Sequence, residues 1–426
     1  MPSFFNRPNI LIFLLCLVAA SIVWSNTNEH SIFHVISSKS TFVLGVFFVA
    51  DKNILQKLKS AFSNKMVWLY FGVFIWYAVW MNFSADKNMA YNAIEKKLSF
   101  IVFPLIFAGE KSLGRREVER IIFIFVVSCL FAMFYCEVIG NWNYFHSPIR
   151  NIDNLIYELL ASPIMHPGYL SNFFIFSIIW LSLPWIGYQV KYEIPNWIRI
   201  VLILFFVIFI GQLTSKTAFL IFLFYIAWML FKLLNSKLTA QKKILFSGIM
   251  LTSVFTIIGI VRLFLWGRFT DFFHWIPINN QIKFNQSTMA RAAAAFESFQ
   301  KVKPVWYKGY GTGMANQMLF DQFTEKGYTY LADPKLPLHC HNQFMRTWLD
   351  LGFFGLLYIV MVFAITWWFF KVKKEWAGMW MVVITFVNCA TDDMLDIQSG
   401  IVFFLFFISL LYWGSRKQYE SAYQAL

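Results

Sequence analysis

The chain has 426 residues, of which 59% are hydrophobic and 20% aromatic while 14% are charged. Soluble domains are about half apolar and about a quarter charged, so this balance excludes a water-soluble globular protein. The net charge of +14 would point to nucleic acid in a soluble protein; in a membrane protein its distribution among the loops matters more than its sum, and no nucleic-acid partner is expected.

A membrane-crossing helix needs about 20 mostly apolar residues. Read in chain order, the apolar runs predict helices near residues 8–24, 34–50, 66–83, 93–108, 121–140, 167–186, 197–213, 217–234, 244–264, 345–370, 376–390 and 399–413. The expected fold is therefore an all-α polytopic membrane protein with about twelve crossings. The first run, Ile10 to Trp24, resembles a signal peptide in length, but Ser25 to His30 offers no small-residue cleavage site. It reads as the first membrane helix.

Loop charge orients these helices. With the N-terminus in the cytoplasm, the inside segments are those around Arg7, Asp51 to Lys65, Gly109 to Arg120, Lys191 to Arg199, Lys232 to Lys243, Lys371 to Lys374, and Arg416 with Lys417. They hold twenty lysines and arginines. The short outside segments hold six: Lys39, Lys87, Lys96, Lys97, Arg150 and Lys216. The positive-inside rule thus puts both termini in the cytoplasm. The long segment from about Leu265 to Leu338 falls outside, where its charge does not count because long loops translocate regardless of it. Three parts follow: a bundle of nine helices over residues 1–264, an extracytoplasmic loop domain over 265–340, and helices ten to twelve with a cytoplasmic tail over 341–426.

Within the outer segment, Ser287 to Val302 reads as an amphipathic helix capped by Ser287 or Thr288, with Ala292, Phe296, Phe299 and Val302 as its apolar stripe. It is expected on the membrane surface or over the bundle. Lys308-Gly-Tyr-Gly-Thr-Gly313 follows; its glycines mark tight turns, in the wrong order for a nucleotide-binding loop. Trp306, Tyr307 and Tyr310 beside it are candidate sugar platforms among aromatics that otherwise suit lipid contact. No internal repeat of the kind found in many transporters is visible. Cys16, Cys129, Cys136 and Cys389 sit in apolar runs and Cys340 in a polar setting, so no disulfide framework is expected.

The most specific motif is His341-Asn342, nine residues, then Gly352-Phe-Phe-Gly355, a polar pair at the mouth of a helix with glycines further along it. It resembles the His-Asn-x9-Gly-x-x-Gly signature of O-antigen ligases. His166-Pro-Gly-Tyr169, Thr214-Ser-Lys-Thr-Ala218 and Arg291 ahead of the Gly-rich turn resemble the wider ligase and polymerase superfamily, as do Glu95-Lys-Lys-Leu98 and Met394-Leu-Asp396 more lightly.

The resemblance implies a membrane glycosyltransferase of the C type in the bacterial inner (plasma) membrane. It would work without nucleotide sugar, cofactor or metal, with its active site on the periplasmic face. Its donor would be a glycan on undecaprenyl diphosphate and its acceptor a lipid or glycan such as lipid A–core, both embedded among membrane lipids. Breaking the anomeric bond to the diphosphate gathers negative charge on the departing group, which demands fixed positive charge. Arg291 suits that role as a bidentate phosphate binder, and it lies in the first turn of its helix, where the dipole favours an anion. Lys216, where ligases commonly have arginine, keeps the charge without the fork. Its alternative is a lysine snorkelling at the membrane edge.

His341 is the expected general base, and Pro337 would hold the chain before it extended. Its alternatives are a structural helix cap, or a metal site with His339 and Cys340, for which the zinc-type second pair is missing. Asn342 is expected to orient His341 or bind sugar, and His166 and Tyr169 to bind substrate. Arg346, Lys96 and Lys97 are further phosphate candidates. The acidic turn Asp392, Asp393 and Asp396 reads as a solvated membrane edge from which one carboxylate assists His341 or holds the acceptor. A polymerase of the same superfamily, joining lipid-linked repeats, fits the same residues. A lipid-glycan transporter fits less well, because the ionisable residues cluster at one face rather than at the bilayer midplane.

Overall fold

The computed structural model describes residues 6–25, 36–110, 113–147, 150–270, 287–327 and 339–414. Among these the chain is helical: α1 Arg7–Val23, α2 Ile36–Val49, α3 Ile54–Phe62, α4 Lys65–Trp80, α5 Lys87–Lys97, α6 Ser99–Gly109, α7 Arg115–His146, α8 Tyr157–Ala161, α9 Pro167–Ser182, α10 Asn196–Leu213, α11 Lys216–Leu234, α12 Ala240–Thr270, α13 Ser287–Val302, α14 Ala315–Glu325, α15 Gln343–Lys373, α16 Trp376–Cys389 and α17 Gln398–Gly414. Eleven of the twelve predicted runs each centre on one helix among the described residues. Seven helices, α4, α7, α9, α10, α11, α12 and α15, are long and apolar enough to cross a membrane, and α1, α2, α16 and α17 are shorter apolar helices. The run predicted over 93–108 is instead split at Leu98 into the polar α5 and the apolar α6. Pro337, the pair Arg416 and Lys417, and the capping side chain at Ser287 or Thr288 lie outside what is described.

Two helices form the centre. In α9 every residue but Gly168 is buried, and α17 is buried along nearly its whole length. They meet α7 through phenylalanines: Phe125 and Phe407 lie 4.7 Å apart edge to face, Phe173 and Phe403 4.5 Å, and Phe176 and Phe407 4.9 Å. Between helices in lipid there is no hydrophobic drive, so close packing and ring geometry carry the association.

The segments assigned to the inside by charge meet at one end of the bundle. Asp51 pairs with Arg7 and Lys57, Glu110 with Lys57, and Arg115 with Glu119 at 2.8 Å and Glu375 at 3.3 Å. Buried charges without such partners would cost several kcal/mol each. The segments assigned to the outside by charge meet at the other end, where α5, the start of α15 and the turn before α17 are tied together. Lys97, fully buried, donates to Asp396 at 2.8 Å and to the Leu395 carbonyl at 2.6 Å. Arg346 reaches Asp393 and Asp396, each at 3.1 Å, and Gln343 donates to Asp396 at 2.6 Å. The acidic turn is therefore not a solvated edge: Asp393 and Asp396 are buried because two cations and an amide compensate them. Lys97 joins the two motifs that flank the site in sequence.

The outer segment is fastened to the bundle at a break in α15. Gly352 has φ 73° and ψ −177°, a conformation open only to glycine, and it interrupts the helix. The backbone groups released there are taken by the glycine-rich turn. Tyr310 N donates to the Leu349 carbonyl at 2.7 Å, Gly311 N to the Asp350 carbonyl at 2.9 Å, and Phe353 N to the Trp306 carbonyl at 2.8 Å. The Lys308–Gly313 turn is thus a clamp, with φ positive at Gly309, Gly311 and Gly313 so that its backbone can lie against α15 and the end of α4. Cys340 is part of the small core beneath the segment, with Ala294, Val302, Ala315, Leu319, Phe323 and Leu349, and not in a polar setting. α13 lies over the bundle through Ala294, Glu297, Ser298 and Val302, while Phe296 and Phe299 of the predicted stripe face outward.

A Cβ on Gly352 would run into the Tyr307 carbonyl. Gly352→Ala is expected to cost roughly 2–4 kcal/mol of stability. Gly45→Ala, placed on α2 where a Cβ meets nothing within 4 Å, should be neutral or stabilising by up to about 1 kcal/mol. Thermal unfolding of the detergent-solubilised variants checks both; equal melting of Gly352→Ala and wild type would remove the clamp.

Candidate functional site

At the end that holds Lys97, Arg346 and the acidic turn the helices open onto a cavity of ≈ 300 Å³. Six of the seven residues selected from the sequence line it: His166, Tyr169, Lys216, Arg291, His341 and Asn342. They come from four stretches far apart in the chain, and the reason they meet is local. His166 caps α9, its Nδ1 accepting from Gly168 N at 3.2 Å. Ser215 caps α11 through Ala218 N at 3.3 Å, and Asn342 caps α15 through Phe344 N and Met345 N, both at 3.0 Å. All three caps line the cavity, so three helix N-termini converge there. Each contributes roughly half a positive charge. Lys216 stands in the first turn of α11 and Arg291 in the early turns of α13, adding two formal charges to the same space.

Arg291 is held by one contact, Nη1 to the Thr391 carbonyl at 3.3 Å, and its buried Nε has no hydrogen-bond partner among the described residues. Thr391 also bonds Thr217 at 3.1 Å, closing the wall between the 214–217 turn and the acidic turn. His341 Nδ1 stands 3.9 Å from the Asp392 carboxylate. Burial pushes the Asp392 pKa up, but the neighbouring His341 and Arg291 outweigh it and hold it at about 2. The carboxylate is thus ionised at any working pH, a fixed negative charge beside the His341 ring. His166 is pushed below the usual histidine range by burial, against the pull of Asp392 and Glu158, and is neutral at pH 7.

Backbone strain is concentrated in the same place. Among the described residues four non-glycines have positive φ, and three of them, Tyr157 at 51°, Thr214 at 48° and His341 at 48°, line the cavity. Such conformations cost of order 1–3 kcal/mol each and persist where surrounding structure imposes them. At His341 the constraint is visible: Asn342 N donates to Asp393 at 3.0 Å, and the Asn342 amide to the Ala390 carbonyl at 3.0 Å.

The seventh residue, Arg346, is not in the wall. It is buried behind it, paired with Asp393 and Asp396. Lys97 is likewise occupied, and Lys96 lies exposed beside a separate groove. His339 stands 3.9 Å from Asp393, but Cys340 belongs to the core, so the three do not converge as ligands. Trp306 and Tyr307 are half exposed, Tyr310 donates to the Lys301 carbonyl at 2.8 Å, and none of the three borders the cavity. Tyr157, Thr217, Thr391 and Asp392 are lining residues that the sequence did not single out as site residues. For Asp392 a signal existed in the acidic turn; for Tyr157 there was none.

Residues 200–360 match the family model described as O-Antigen ligase. The match takes in Lys216, Arg291, His341 and Asn342, and leaves His166, Tyr169 and Asp392 outside it. No curated protein matches the chain. The match supports the O-antigen ligase superfamily for this helical chain, and the matched segment carries four of the six selected cavity residues.

Proposed function

We propose that the protein is a ligase-type glycosyltransferase that moves a glycan from undecaprenyl diphosphate to an acceptor hydroxyl, on a lipid A–core or similar carrier, at the periplasmic face of the bacterial inner membrane. The observation that carries this reading is the convergence of Lys216, Arg291 and three helix N-termini on one cavity that also holds His341 and Asp392. In this reading about twelve helices cross the bilayer in the manner of the C-type membrane glycosyltransferases, both termini face the cytoplasm, and the cavity end lies outside. The loop charge supports that orientation.

The chemistry follows from the charges. The acceptor oxygen attacks the anomeric carbon, and the bond from that carbon to the diphosphate oxygen breaks, its electron pair leaving on the diphosphate. Arg291 and Lys216 neutralise that growing charge, helped by the dipoles of α9, α11 and α15. His341 takes the acceptor proton, and the Asp392 carboxylate stabilises the imidazolium that results. Asn342 sets the His341 backbone through its cap and its bonds to the acidic turn, while His166 and Tyr169 bound the sugar side. The donor ester is already activated, so the reaction draws on neither a nucleotide triphosphate nor a metal, and transfer is expected to persist in chelator.

Loss of one contact to a developing charge in a desolvated site costs about 3–4 kcal/mol. Arg291→Ala is therefore expected to lower transfer roughly a hundredfold to a thousandfold without lowering protein level, and Arg291→Lys to retain part of the activity. His341→Ala should lower the rate by about 10² to 10⁴ while donor affinity stays unchanged, whereas donor affinity falls in the Arg291 variants. Arg346→Ala differs in kind: it takes the arginine from buried Asp393 and leaves Asp396 to Lys97 and Gln343, costs about 3–5 kcal/mol of stability, and should lower protein level. A purified transfer assay with quantified protein separates the classes, and near-wild-type transfer by His341→Ala would remove the base.

The glycan profile of a deletion strain tests the reaction itself. Loss of every capped chain on the acceptor lipid, with lipid-linked polymer retained, is the expected result. Chains of a single repeat would identify a polymerase and overturn the ligase assignment.

A further inference from the structure

Along one side of the cavity the polar wall gives way to three rings. Tyr157 meets His166 at 6.3 Å between centroids and 78° between planes, and His166 meets Tyr169 at 6.0 Å and 65°. Tyr157 opens the five-residue helix α8, its ring half-buried at the cavity. Its backbone sits at φ 51° after an extended Ile156. A bulky residue at positive φ is an outlier, and glycine or asparagine would adopt the same turn at little or no cost. The turn alone therefore does not account for a tyrosine.

We propose that Tyr157 is a platform for a sugar ring, with His166 at its side. This inference rests on reading the cavity as a glycan-transfer site and adds to that reading the place where a pyranose lies. A pyranose has a C–H face of partial positive charge and a rim of hydroxyls. The negative face of an aromatic ring suits the first, and polar groups around it suit the second. The cavity supplies that combination: Tyr157 and Tyr169 as rings, with His166, Thr217, Thr391 and Asn342 as donors and acceptors around them. His166 accepts at Nδ1 from Gly168 N, so its proton is on Nε2, available to a hydroxyl. A diphosphate draws on Lys216 and Arg291 and makes no use of rings. The aromatic side is thus the sugar's and the cationic side the phosphate's.

Saturation-transfer NMR on the full-length protein in lipid nanodiscs, with methyl α- and β-glucosides, galactosides and mannosides as probes, tests the platform without any transfer reaction. Saturation is expected on the C–H protons of one ring face for at least one probe. Tyr157→Phe should bind within about threefold of wild type, and Tyr157→Gly should weaken binding about tenfold or more, as loss of an aromatic stack implies. Glycine accepts φ 51° without strain, so the melting temperature of Tyr157→Gly should equal or exceed that of wild type, which separates loss of the ring from loss of the fold. In transfer assays Tyr157→Gly should raise KM about tenfold for one sugar substrate with kcat little changed. A rise for the lipid-linked donor assigns the ring to the donor glycan, and a rise for the acceptor assigns it to the acceptor. Wild type binding none of the probes, or Tyr157→Gly binding them as well as wild type, would overturn the platform. Binding that depends on Tyr157 in a protein that transfers no glycan would leave the platform standing and remove the transferase reading instead.

Discussion

A peptide group released inside an apolar helix has no water to bond, and each such group left alone costs several kcal/mol. The break in α15 at Gly352 therefore exists only together with whatever satisfies it. Here the partner is the turn Lys308–Gly313, whose N–H groups take the Leu349 and Asp350 carbonyls. The side chain of Asp350 extends the same contact, accepting from Ala315 N at the start of α14 at 2.8 Å. Because the outer segment is pinned at this point, α13 is pinned above the bundle, and Arg291 is delivered to the cavity. The glycines of the turn and the arginine eighteen or more residues before them in sequence are thus parts of one mechanical arrangement.

A second constraint decides which basic residues are available to a ligand. Arg346, Lys97 and Arg291 lie at the same end of the molecule, yet the first two face buried carboxylates, Asp393 and Asp396, whose charges would be intolerable alone. Their own charge is spent on that compensation. Arg291 faces a carbonyl at 3.3 Å and the half-buried Asp392, across a space large enough for a ligand. All three are cations at the same end of the molecule; the local count of carboxylates separates those bound to the protein's own acids from one that faces the cavity.

The sequence was informative where local chemistry and final structure coincide. Apolar runs became helices because each run satisfies its own backbone, independent of neighbours. His166, Lys216 and Asn342 were visible because helix starts have a recognisable chemistry, Pro167 after His166 and Ser215 before Lys216, and helix starts gather at the cavity. What was hidden depended on partners distant in the chain. The burial of Asp393 and Asp396 needs Lys97 and Arg346, some three hundred and some fifty residues away. The glycine-rich turn reads as a generic loop until the break it fills is known. Cys340 sits between two histidines in sequence and inside a core in space, a placement that the packing of α13, α14 and α15 decides. The outward face of α13 was misjudged for a related reason: Glu297 is buried where Gln322 of α14 donates to it at 2.9 Å, a pairing periodicity does not encode.

The strained residues tie these constraints to function. Thr214, His341 and Tyr157 each begin or end a helix at the cavity in a left-handed conformation that neither a β-branched nor an aromatic residue prefers. Each is over-determined by its surroundings: Thr214 by the two-residue connection between antiparallel α10 and α11, His341 by the bonds of Asn342 to the acidic turn, Tyr157 by the reversal from Ile156 into α8. A site whose charges and rings are fixed by buried networks does not reorganise when a diphosphate departs, and that is the condition under which fixed charge lowers a barrier most. The stability held in the buried ion pairs and the clamp at Gly352 offsets the strain at these three positions. The rigidity of the outer end and the preorganisation of the cavity are therefore one property, produced by the same set of buried contacts.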